Sequence, residues 1–265
     1  NKITGSDTEY VNLVFGSFDK HARYLDAGNA TWDSSTIEMG SASADGSDAT
    51  TTNTIKMFTG KKYINGAETE AAFILAEGSR KVVLPTDCSS LFANGTYLQS
   101  VTFDGVDSSQ VTTMEQMFYS STKLVTVNLG DMDASKVTTM EQMFAKCDAI
   151  ESVRFGTVNA TSLKTTEKMF YALHKLLKVD LSGFSTSEAL TNMTNMFYGC
   201  TILRTLDLRG INNTKVSGTL MVGGQTNYVF ASCQRLEKLT VGPNFIFKKG
   251  NRDVAMPANP SSSSI

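Results

Sequence analysis

Apolar residues in the middle of this chain recur on a long period. A phenylalanine preceded by Met, Leu or Val stands at Phe92, Phe118, Phe144, Phe170, Phe197 and Phe230, at intervals of 26, 26, 26, 27 and 33 residues. Between these positions runs a second pattern, L-x-x-[VIL]-x-[LFV]. It appears as Leu98/Val101/Phe103, Leu124/Val127/Leu129, Ile150/Val153/Phe155, Leu176/Val179/Leu181, Leu203/Leu206/Leu208 and Leu236/Leu239/Val241. Its alternating end has the period of two expected of a short strand. The stretch around each phenylalanine has a different rhythm. Val137, Met140, Met143, Phe144 and Cys147 fall at i, i+3, i+6, i+7 and i+10, which predicts one face of a helix. Asp107-Ser-Ser109, Asp133-Ala-Ser135 and Asn159-Ala-Thr161 precede such stretches and read as turn-and-cap signals.

The octapeptide VTTMEQMF occurs unchanged at 111–118 and 137–144. Such copying is the mark of a repeating unit. A strand-plus-helix unit of this size cannot bury its own apolar face, whereas stacked units share a continuous core. Six parallel strands about 4.8 Å apart then make the ladder. The expected fold class is α/β, a leucine-rich-repeat-like solenoid over 85–250 with one short parallel strand and one short helix per repeat. The last interval is long because residues 217–228 (SGTLMVGGQTNY) are inserted where a helix start is expected.

Residues 1–84 do not follow the repeat. Apolar and polar residues alternate at 10–15, and 71–76 and 80–85 also read as strands, whereas the Ser/Thr/Asp/Gly-rich stretch 40–53 reads as a mobile loop. A mainly β cap shielding the open end of the stack fits best, with a separate domain as the alternative. The Pro/Ser tail 251–265 is linker-like.

The phrases DASKVTTMEQMFAKC, LTNMTNMFYGCTILRTLDL and DCSSLFANGTYLQSVTF closely resemble the BspA-like leucine-rich-repeat surface proteins of bacteria. The resemblance covers about 85–241. It implies an exported, surface-displayed repeat domain acting in adhesion or host and matrix interaction, with no catalysis and no catalytic residues to carry over. Two departures from the family pattern stand out: Lys164-Thr165-Thr166, where a Met is lost, and the 217–228 insertion.

Composition narrows the function. Lys+Arg 24 against Asp+Glu 26 leaves a net charge of −2, with no clustered basic footprint for nucleic acid. No run of about 18 apolar residues is long enough to span a bilayer. Only His21 and His174 are present, and the four cysteines (Cys88, Cys147, Cys200, Cys233) form no CxxC pair, so neither a zinc site nor nucleophilic catalysis is expected. Cys147, Cys200 and Cys233 share one repeat position and are expected as buried free thiols, because parallel Cβ vectors aim poorly for a disulfide. The Met residues share the phase of Phe and Val and read as core. Asp131, Asp133, Asp104 and Asp107 pair up in sequence, but calcium needs about six oxygens and capping explains them. Glu115 and Glu141, inside the copied octapeptide, read as solvent-facing residues of identical tiles. The sequons at Asn29, Asn94, Asn159, Asn192 and Asn212 read as incidental to turns.

What remains is binding without a cofactor. Outward strand positions form two columns: Gln99, Val125, Glu151, Leu177, Arg204, Glu237, and Thr102, Asn128, Arg154, Asp180, Asp207, Thr240. Tyr119, Tyr171 and Tyr198 follow the phenylalanines and share a third. The candidate contact residues are therefore Arg154, Asp180, Arg204, Asp207, Glu237, Tyr119, Tyr171 and Tyr198, together with the 217–228 insertion. The mixed charge points to a protein or glycan ligand at the cell surface, host extracellular matrix among the candidates; oligomeric state is open. A structural spacer and a carbohydrate-binding module of a larger protein are the rival readings.

Overall fold

A computed structural model describes residues 12–17, 55–64, 67–76, 81–130, 132–217, 228–249 and 252–253. Each repeat contributes one short strand to a parallel ladder: β4 (Ser100–Asp104), β5 (Thr126–Asn128), β6 (Ser152–Arg154), β8 (Lys178–Asp180), β10 (Thr205–Leu208) and β11 (Lys238–Val241). Val101, Val127, Val153, Val179, Leu206 and Leu239 align across it. Two shorter strands, β7 (Val158–Ala160) and β9 (Phe184–Thr186), pair in parallel on another face of the coil. A third line of contact is a row of single parallel bridges through Asp87, Thr113, Thr139, Thr165 and Asn192.

The expected helix is absent: among the described residues there is no α-helix, and the fold is mainly parallel β rather than α/β. The reason lies in the backbone around each phenylalanine. Gln116 and Ser120, Gln142 and Lys146, and Lys168 and Ala172 have φ between 52° and 62°, and Asn195 and Gly199 follow at 55° and 78°. A left-handed residue every fourth position cannot continue a right-handed helix. The N–H groups then divide their work. Alternate ones close three-residue turns within the rung, as Met143 to Met140 (3.3 Å) and Cys147 to Phe144 (3.2 Å). The others cross to the next rung: Gln142 to Glu167, Phe144 to Met169 and Lys146 to Tyr171, each at 2.9–3.0 Å. Apolar residues three apart mark successive turn corners, a spacing that imitates one helix face. Asn159, expected near a helix cap, lies within β7.

The core reading of those same positions holds. Val137, Met140, Met143, Phe144 and Cys147 are all at most 1% exposed. The six phenylalanines form one stack, with ring centroids 5.3, 5.3, 5.6, 5.1 and 5.9 Å apart and interplanar angles of 17° or less. Two departures from the repeat are absorbed. Thr166, where a Met is lost, is fully buried and its hydroxyl lies 3.4 Å from Met196 Sδ. After the insertion, of which 218–227 lie outside the described residues, Phe230 resumes the stack on Phe197.

The N-terminal segment supplies β1 (Asn12–Ser17), β2 (Ile55–Ile64) and β3 (Ala67–Ala76). β1 lies between β4 and β3, parallel to both, and β2 pairs antiparallel with β3, so the ladder becomes a nine-stranded sheet. Phe15 stacks on Phe103 at 5.2 Å. Residues 81–85, expected as a strand, join the first rung by one bridge, Val83 to Asp107. The 40–53 stretch lies outside the described residues. At the other end Asn213, fully buried, binds Ile246 through both its amide atoms at 2.6 and 2.8 Å. This holds Phe245 and Phe247 over the last rung, and β12 (Lys248–Lys249) and β13 (Arg252–Asp253) pair just beyond.

Two substitutions test this packing. Phe144→Ala removes one ring from mid-stack and is expected to cost about 3–5 kcal/mol in urea-unfolding free energy. Ser108 occupies the place that Ala134 and Ala160 hold on later rungs; it is 3% exposed and its hydroxyl has no partner. Ser108→Ala is expected to stabilise by about 1–2 kcal/mol, because an unpaired buried hydroxyl keeps its desolvation cost.

Candidate functional site

The outward face of the sheet carries an ordered array of polar side chains. Backbone pairing fixes its columns. Thr102, Asn128, Arg154, Asp180, Asp207 and Thr240 follow one another across β4 to β11. Bonds from the N–H of Val125, Leu177, Arg204 and Glu237 to the carbonyl one rung earlier align the second column. A third column, Ser100, Thr126, Ser152, Lys178, Thr205 and Lys238, was not singled out by sequence. Strict alternation with the inward Val101, Val127, Val153, Val179, Leu206 and Leu239 turns it outward, and Lys178 and Lys238 are exposed. The column at Gln99 breaks the alternation instead, because it lies one residue ahead of each strand, and Gln99, Glu151, Leu177, Arg204 and Glu237 are exposed.

Of the charged candidates, Arg204 and Glu237 engage each other, and Asp180 and Asp207 engage neighbours on their own rungs. Arg204 Nη1 lies 2.9 Å from Glu237 Oε1 across adjacent rungs, with both side chains more than half exposed (51% and 62%), so the pair contributes little stability. Asp207 is held from its own rung: Arg209 Nε donates to both carboxylate oxygens at 3.0 Å. Asp180 accepts from the Ser182 hydroxyl at 2.6 Å and N–H at 3.0 Å, and these bonds hold its carboxyl below the usual range. Charge therefore concentrates on rungs three to six; the first two rungs present Gln99, Thr102, Val125, Thr126 and Asn128.

The tyrosine column is divided. Tyr171 and Tyr198 stack on each other at 5.1 Å and 10°. Tyr119 is separated from them by Ala145, and Lys146 Nζ sits 5.4 Å from its ring centroid. All three rings are half-buried, so they serve packing as much as recognition.

The remaining sequence candidates take structural places. Asp107 and Asp133 each accept the N–H two residues on, from Ser109 (3.0 Å) and Ser135 (2.9 Å), and the serine hydroxyl together with that N–H holds each carboxyl below its ordinary value. These are turns, not helix caps. Asp131 and His21 lie outside the described residues. Glu115 and Glu141 are half-buried rather than fully solvent-facing, and their backbone N–H groups donate to the Thr113 and Thr139 hydroxyls at 3.2 and 3.1 Å. His174 Nδ1 meets Asp148 Oδ1 at 3.1 Å on the surface.

Cys147, Cys200 and Cys233 donate their thiols to Phe118, Phe170 and Phe197 carbonyls one rung back, at 2.9, 3.0 and 3.1 Å. Ser121 does the same to Phe92 at 2.6 Å. All four cysteines are free and buried. Burial pushes Cys88, Cys147 and Cys233 up to about 12 and Cys200 well above its ordinary value.

The described residues thus define a stacked parallel-β repeat protein with an ordered polar sheet face. Within it, residues 86–207 match the model of a family described as "Mycoplasma protein of unknown function, DUF285". No curated protein and no solved structure matches the chain.

The buried thiols give a prediction of their own. At pH 8 all four are expected to resist a thiol-specific disulfide reagent in the native protein and to react together in denaturant, since the thiolate is the reactive form. Rapid labelling of any one under native conditions contradicts this placement.

Proposed function

We infer that this chain is an exported, surface-displayed binding protein of the BspA-like leucine-rich-repeat type, acting as an adhesin or matrix-binding module. The observation that carries this is the sheet face itself. Its columns of side chains sit in fixed parallel register over a continuous buried core, so many weak contacts can add along one ligand without ordering the scaffold anew. The repeat phrases and the matched segment support the same reading. The N-terminal strands act as the cap of the stack, because β1 and β3 extend its sheet beyond the first rung.

A spacer role is the second reading. It gains weight from the Pro/Ser composition of 251–265, which suits a linker. The two are separated by screening the whole chain against extracellular-matrix proteins and glycans. Binding is expected, and Arg204→Glu is expected to weaken it about tenfold, since the substitution sets a second carboxylate against Glu237 in the middle of the charged rungs. Arg154→Glu and deletion of 217–228 are the companion variants. No binding to any matrix component favours the spacer; binding that survives all three variants moves the site off this face.

A further inference from the structure

The turn leading into each strand repeats one geometry, and it organises charge that the sheet columns do not. On five rungs the N–H of the apolar residue that ends the turn (Leu124, Ile150, Leu176, Leu203, Leu236) donates to the carbonyl three residues back, at 3.1–3.4 Å. The residue before each closure therefore occupies one place on every rung: Lys123, Ala149, Lys175, Ile202 and Arg235. Tyr97 holds the corresponding position on the first rung and is 63% exposed. Along the stack this column alternates strictly: Tyr, Lys, Ala, Lys, Ile, Arg.

Its cations are unlike the arginines of the sheet. Arg204 and Arg209 are paired with Glu237 and Asp207. Lys123, Lys175 and Arg235 are exposed and form no ion pair or side-chain hydrogen bond among the described residues. Lys178 and Lys238 stand beside the column on the same two rungs as Lys175 and Arg235, both exposed, with Asp180 the acidic neighbour of Lys178. Glu151 and Glu237 are the carboxylates nearest in sequence on the sheet side, and Glu237 is taken by Arg204. The cations thus recur on every second strand, about 10 Å apart, with an apolar side chain on each strand between.

We propose that this leading edge of the sheet binds a linear polysaccharide that carries an acidic group on every second sugar. One sugar spans about one strand spacing. Acidic sugars then lie over Lys123, Lys175 and Arg235, and the apolar faces of the neutral sugars lie over Tyr97, Ala149 and Ile202. A polyanion charged on every unit, such as a nucleic acid, would set half of its charges over apolar positions, and a neutral polysaccharide would leave the cations unmatched. This rests on the reading of the chain as a binding protein and names the chemistry of one partner.

The test uses the full chain and four probes: hyaluronan oligosaccharides (one carboxylate per two sugars), neutral chitin oligosaccharides, single-stranded poly(dT), and poly-glutamate. Hyaluronan is expected to bind most tightly, with an affinity that falls as salt rises, the slope reflecting about three released counterions. Lys123→Glu with Lys175→Glu is expected to weaken it at least tenfold, while Lys136→Glu, off the column and bonded to Gln110, leaves it unchanged. Circular dichroism of each variant checks that the fold is retained. Failure to bind hyaluronan, equal or tighter binding of poly(dT) or poly-glutamate, or indifference to the double reversal overturns the proposal. If matrix proteins still bind and Arg204→Glu still weakens them, the general binding role survives that failure; if nothing binds, both fall.

Discussion

The structure depends on a set of backbone hydrogen bonds that all run the same way. On the phenylalanine flank, the N–H groups of Gln116, Phe118 and Ser120 reach forward to Glu141, Met143 and Ala145, and the same three positions of the next rungs reach forward in turn. A helix would satisfy each rung internally and leave neighbouring rungs to be joined by side chains alone. Here the backbone joins them directly. The cost is a left-handed residue at every fourth position, which for a non-glycine is unfavourable by about 1 kcal/mol or more. The stacked phenylalanines and the fully buried methionines offset it, because the close rung spacing that the bonds impose is also the spacing at which the rings stack.

From that constraint the rest follows. Rungs held in register on one flank keep the short strands in register on the other, where three or four residues alone would pair weakly. Register is what turns single side chains into columns, and columns are what a long ligand can use. The small hydrogen-bond donors at Ser121, Cys147, Cys200 and Cys233 fit the same logic: each satisfies the carbonyl of the phenylalanine one rung back. Sequestered this way, the thiols are structural, and the departures from the repeat at Thr166 and after residue 217 are absorbed locally. Glycine matters where the chain turns off the sheet, as at Gly210, whose Cα lies so close to the Phe184 carbonyl that a Cβ has no room.

Much of this was legible in the residues. The repeat length, the phase of Val137, Met140, Met143, Phe144 and Cys147, and the sheet columns through Arg154, Asp180 and Asp207 could be read from spacing, because burial follows the copied apolar positions however the backbone turns. The helix could not be excluded that way: a series of three-residue turns and a helix both bring every third or fourth residue to one side. The signal that was passed over is the residue type at the left-handed positions. Asn94, Asn195 and Gly199, with Gln, Ser, Lys or Ala in the same columns, are tolerable there, whereas a β-branched residue is not. The exposed lysines at 178 and 238 fit the alternation as well, each standing next to an inward residue, Val179 or Leu239. The alternating column from Tyr97 to Arg235 became visible only once the turns before the strands proved identical.

The claim on which all of this stands is that the Phe118 N–H is bonded to the next rung and not within its own. Scalar coupling across the hydrogen bond, measured by NMR on isotope-labelled protein, reads this directly. The account predicts a coupling between the Phe118 nitrogen and the Met143 carbonyl carbon, with its counterpart from Phe144 to Met169. A coupling from Phe118 to the Met114 carbonyl instead, the bond a helix would make, contradicts it.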